Sequence, residues 1–124
     1  MSEIYFTPRE LDVMSVLWRQ GSATVTEVRE AIDEPLAYTT VLSALQTLEE
    51  KGFVRHEPEG RAYRYHPLVE PEKAGRSALA RIRDAVFQGS TERMFAQFVA
   101  ARGVSREELE RMQRMIDSRL KEER

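Results

Sequence analysis

A mainly α fold carrying one small β-hairpin is predicted by three features of this 124-residue chain. Three segments repeat the pattern Ser/Thr-x-x-Glu ahead of an apolar stripe, which is how a helix start is written locally. Tyr63 and Tyr65 alternate with Arg64 directly after Pro58-Glu59-Gly60-Arg61, the signature of a strand leaving a tight turn. Beyond Pro67 the chain becomes charged, with apolar positions recurring at helical spacing.

Thr7-Pro8-Arg9-Glu10 opens the first helix, with proline at its first position. Leu11, Met14, Leu17 and Trp18 form its stripe until Gly21 supplies a left-handed stop, so this helix covers about residues 8–20. Thr24 and Glu27 repeat the start signal for a short second helix with Val25, Val28 and Ile32, closed by Asp33-Glu34-Pro35. A third helix is expected from Tyr38 to Lys51, with Val41, Ala44, Leu45 and Leu48 inward and Gly52 ending it. Phe53–Glu57 and Ala62–His66 then pair across the turn. Pro71 opens a fourth helix with Ala78, Leu79, Ile82, Ala85 and Val86, stopped at Gly89. Ser90 caps a short fifth with Met94, Phe95, Phe98 and Val99, and Ser105 with Glu108 starts a sixth bearing Leu109, Met112, Ile116 and Leu120.

The outward face of the third helix is unusual. Tyr38, Thr39, Ser43, Gln46 and Thr47 are short or uncharged hydrogen-bonding groups, not the Lys/Glu pairs of a merely solvated face. Helix, short helix, polar-faced helix and basic hairpin in that order make a winged helix-turn-helix. A helix of ~10 Å diameter enters the major groove, where a glutamine pairs bidentately with adenine, so Gln46 is the foremost candidate for base readout. Tyr38, Thr39 and Thr40 stand at the helix start, where amides and the helix dipole favour phosphate. Arg61 and Arg64 are wing contacts, with Lys51 as a further basic contact at the helix end.

Net charge of −2 offers no general basic surface. Residues 1–70 hold seven basic and twelve acidic side chains, whereas 71–124 hold twelve and nine. The sign is local, however, because residues 36–48 contain no acid. Without cysteine there is no disulfide, thiolate metal site or thiol redox chemistry. His56 and His66 lack further ligands at metal spacing, no nucleophile stands beside a base, and no glycine loop cradles phosphate. Neither an enzyme nor a cofactor is expected. No apolar run reaches membrane-span length, and Met1 to Phe6 has neither a basic n-region nor an apolar h-region, which together predict a cytoplasmic protein without membrane insertion.

These residues also resemble the penicillinase-repressor family, the beta-lactamase and methicillin-resistance repressors with their copper-responsive relatives. The resemblance is carried by Leu11-Asp12-Val13-Met14, Leu17-Trp18, Tyr38-Thr39-Thr40-Val41, Leu45, Leu48, Glu49-Glu50-Lys51-Gly52 and Gly60-Arg61-Ala62-Tyr63-Arg64-Tyr65. It implies a homodimeric repressor on a pseudo-palindromic operator of double-stranded DNA, often with TACA-like half-sites. It further implies release when a membrane-bound sensor protease leads to cleavage after an Asn-Phe pair. Gln97-Phe98 stands at the matching place and departs from that pair. The C-terminal cysteines of copper-responsive members are missing, which excludes copper sensing of that type.

Two regions follow: a winged-helix DNA-binding domain over 1–70 and a helical dimerisation region over 71–124. Phe87, Phe95, Phe98, Met112, Met115, Ile116 and Leu120 exceed what so small a region covers alone, which assigns them to a dimer interface. Two other readings stay open at this point: a winged helix that binds protein, suited by the acidity of 1–70, and a ligand-sensing activator with a pocket among the later helices.

Overall fold

The computed structural model describes residues 4–123. Six helices are present, α1 (Pro8–Gln20), α2 (Val25–Ala31), α3 (Tyr38–Glu50), α4 (Pro71–Val86), α5 (Thr91–Ala100) and α6 (Arg106–Glu122), with strands β1 (Ala23–Thr24), β2 (Val54–Glu59) and β3 (Ala62–Pro67). All three expected capping boxes form. At α1 the Thr7 amide donates to Glu10 Oε1 (2.9 Å) while the Glu10 amide donates to Thr7 Oγ1 (3.2 Å). Thr24 with Glu27 and Ser105 with Glu108 repeat this reciprocity at α2 and α6. Gly21, at φ 86, ends α1 by donating its amide to the Leu17 carbonyl.

The chain divides into two compact units, Met1–Leu79 and Ala80–Arg124. The core of the first joins Val13, Met14, Val16 and Leu17 of α1 to Val25 and Val28 of α2, Val41, Leu45 and Leu48 of α3, and Val54 and Tyr65 of the sheet. Leu11 departs from its expected inward position and is 48% exposed. Helix α1 is surrounded by α2, α3 and the sheet, so its buried face is broad and centred on Val13 and Leu17, leaving Leu11 at the rim. Trp18 is half-buried, donating its indole N–H to the Val69 carbonyl at 2.8 Å.

The sheet has strand order β1-β3-β2, all antiparallel. Its short β1, which the sequence does not announce, pairs Ala23 with Tyr65 and Thr24 with Arg64. The hairpin is tighter than expected: Glu59 pairs with Ala62, leaving Gly60 and Arg61 as the entire turn. Pro58, expected in the turn, faces Tyr63 within β2, where an edge strand tolerates its missing N–H. Gly60 takes φ 62 and Arg61 does not, the pattern of a type II′ turn with glycine first.

Helix α3 ends at Glu50 with Lys51 as its cap. Lys51 Nζ donates to both carboxylate oxygens of Glu10, at 2.8 and 2.9 Å, and Glu10 is buried. Burial acts to raise the Glu10 pKa, but the hydrogen bonds from Lys51 and from the Thr7 amide outweigh it and hold the carboxyl below its ordinary value. A carboxyl depressed on folding stabilises above its unfolded pKa, about 4.3, and that contribution disappears as pH falls through the lower folded value. Glu10→Gln is therefore expected to lower the melting temperature at pH 7 and to converge with wild type in acid. Calorimetric melts from pH 7 to pH 2 measure this, and equal slopes for both proteins contradict it.

In the second unit no side chain between residues 80 and 123 is buried within a single chain. Its elements are locally well formed: Ser90 Oγ accepts from the Arg93 amide at α5, and the Arg93 guanidinium lies 5.9 Å from the Phe87 ring centre. Yet Met115 is 68% and Leu120 61% exposed.

Candidate nucleic-acid interface

Helix α3 presents two opposite faces. Val41, Leu45 and Leu48 are fully buried, while Tyr38, Thr39, Thr40, Ser43 and Gln46 are exposed and Thr47 is half-buried. The uncharged hydrogen-bonding side therefore faces solvent. Its start also differs from the other capped helices. Ala37 at the N-cap makes no side-chain hydrogen bond and the first turn holds no acid, so no side chain of the cap or first turn competes with an incoming anion.

A cleft of about 380 Å³ separates this face from the hairpin, lined among others by Tyr38, Gln46, Glu49, His56, Arg61 and Tyr63. Arg61 occupies the turn, exposed, and makes no ion pair or hydrogen bond among the described residues. The other two cations singled out in the sequence are engaged within the fold. Lys51 is held by Glu10 as described. Arg64, half-buried on the central strand, donates Nε and Nη2 to Glu59 at 2.7 and 2.9 Å, and its Nη1 lies 3.1 Å from Glu27 and 3.3 Å from Ser22 Oγ. The hydrogen bonds that it donates to Glu59 and then to Glu27 push the guanidinium pKa above its ordinary, already high value.

Sequence reasoning missed the roles of the histidines. His56 Nδ1 lies 2.7 Å from Glu49 of α3, and its ring meets the Tyr63 ring edge-on with centres 4.6 Å apart. His66 Nε2 lies 2.8 Å from Glu57 across the hairpin. The carboxylate near His56 is seven residues away on another element, so no local spacing signals the pair. Among the described residues no group of three His, Cys, Asp or Glu side chains could hold a metal ion.

Of the candidate interface residues in the second unit, Phe95, Phe98, Met115, Ile116 and Leu120 are exposed, and Phe87 and Met112 half-buried. Gln97 and Phe98 lie inside α5, both exposed. Among the described residues no helix is long and apolar enough to cross a membrane.

Three helices on a small antiparallel sheet, with an open polar helix face beside a hairpin wing, define a DNA-binding protein of the winged-helix class. The penicillinase repressor family model matches residues 6–118, and the chain belongs to that family of transcriptional repressors, which are not enzymes. It is similar to the penicillinase repressor of Bacillus licheniformis, 24% identical over 110 residues that span 87% of this chain and 86% of that protein. Similarity to the transcriptional regulator BlaI of Mycobacterium tuberculosis reaches 44% over 62 residues, 48% of this chain and 45% of that one. Among solved structures, the DNA binding domain of the repressor BlaI superposes with a TM-score of 0.52 at 29% identity, covering 59% of this chain and 93% of that domain.

Proposed function

We propose that this repressor acts in the cytoplasm as a homodimer on a pseudo-palindromic operator, blocking a promoter by occupancy, with residues 1–70 on DNA and 71–124 joining the two copies. The carrying observation is the uncovered Ser43/Gln46 face of α3, with the unpaired Arg61 across the same cleft. In this reading α3 enters the major groove, Gln46 meets a base edge, and Thr39, Thr40 and Ser43 contact the groove or its backbone. Tyr38 and the start of α3 face a phosphate. Arg61 reaches phosphate or the minor groove, while Lys51 and Arg64 support the surface from within.

The apolar side chains left open after residue 80 favour a second copy as their cover, and two half-sites require that two-fold symmetry. A membrane sensor protease as inducing partner rests on the family resemblance. A cut at Gln97-Phe98 then requires local opening of α5, because both residues are helical.

Titrating the chain against labelled promoter DNA and random duplex over a salt series tests the reading. Gln46→Ala is expected to lose about 1–3 kcal/mol of discrimination at one base pair of each half-site. Arg61→Ala is expected to weaken all duplexes alike and to reduce the salt slope by about one. Binding independent of salt, or unchanged by both substitutions, contradicts it.

A further inference from the structure

The Arg64 network ties together three parts of the first unit. Its backbone sits on the central strand, opposite Glu57 on one side and Thr24 on the other. Its side chain grips Glu59, the last residue before the Gly60-Arg61 turn, through two parallel hydrogen bonds. The same guanidinium reaches Glu27, which already caps the start of α2, and Ser22 just ahead of β1. Every nitrogen of Arg64 thus has a partner within the fold, and both Glu59 oxygens are taken.

We infer that Arg64 is a positioning residue, a strut that fixes the tip of the wing relative to the helix-turn-helix by bridging Glu59 to Glu27, and that it makes no contact with DNA phosphate. The inference rests on the proposed docking of Arg61. A two-stranded ribbon twists and flexes about its base, and the residue to be placed stands two positions beyond Glu59. A planar fork with donors on three nitrogens can hold two carboxylates in one geometry, whereas an ammonium, a point charge on a flexible stem, cannot. The bridge also covers charge: one guanidinium offsets part of the charge of two acids beside the wing and lessens their repulsion of the backbone of DNA.

The strut and a phosphate contact give opposite expectations for Arg64→Lys. A phosphate contact survives the exchange, since lysine keeps the charge. A strut does not survive it. The test uses the duplex that the wild-type chain selects from a random-sequence pool, with affinities measured from low to high salt for wild type, Arg61→Ala, Arg64→Lys, Arg64→Gln and the pairs with Arg61→Ala. Circular dichroism melts check that each variant is folded, and the lysine variant decides the matter alone if the glutamine variant is not.

Arg64→Lys is expected to bind about tenfold more weakly with the salt slope reduced as in Arg61→Ala, and Arg61→Ala to add little in that background because the tip is already misplaced. Wild-type affinity for Arg64→Lys overturns the strut. So does a further slope loss of about 0.9 when Arg61→Ala is added to Arg64→Gln, which shows Arg61 still on its phosphate without Arg64. If instead Arg61→Ala leaves wild-type affinity and slope unchanged, the docking of the wing itself is wrong, and the strut falls with it.

Discussion

Replacing Ile116 and Leu120 together by glutamate is expected to give monomers in sedimentation and to lower operator affinity by about a hundredfold or more, because two linked half-site contacts bind with an advantage that separate ones lack. Both side chains lie exposed on α6 at helical spacing. Nothing within the second unit of a single chain buries them, and in the dimer each would enter an apolar interface where an unpaired carboxylate is strongly disfavoured. Helix α6 itself should persist, since its capping box at Ser105 and Glu108 is untouched. A dimer that survives both substitutions moves the interface away from α6.

Leu45→Ala is expected to destabilise the first unit by about 2–5 kcal/mol, the range for deleting a fully enclosed leucine. In a unit of this size that lowers the melting temperature by roughly 10 °C or more. Ser43→Ala, two residues away on the exposed side, should stay within about 0.5 kcal/mol of wild type. The contrast is the point. Comparable losses at the two positions would mean that α3 is rotated from the orientation that frees Ser43 and Gln46.

How the sequence could be read follows from the range of each interaction. Helix starts were legible because a capping box closes within three residues, as at Thr7 and Glu10. The polar face of α3 was legible because buried and exposed residues alternate within one element. What depended on remote partners was not. Strand β1 exists only through Arg64 and Tyr65, some 40 residues on. Lys51 and Arg64 read as basic contacts for DNA, and neither the hold of Glu10 on Lys51, 41 residues apart, nor that of Glu27 on Arg64, 37 apart, shows in local spacing, while Glu59 meets Arg64 only because the turn closes between them. Leu11 fitted the stripe of α1 by spacing, but three packed neighbours turned the buried face toward Val13. Pro58 read as turn chemistry, whereas the edge position of β2 let the strand run through it.

Hydroxyl-radical footprinting of the wild-type chain on the DNA upstream of its own gene tests the central claim most directly. The account predicts two protected patches related by two-fold symmetry, centred one or more turns of ~10 base pairs apart, with the pattern at one base pair of each patch changed by Gln46→Ala. Uniform or absent protection, or a footprint that Gln46→Ala and Arg61→Ala both leave intact, would contradict it.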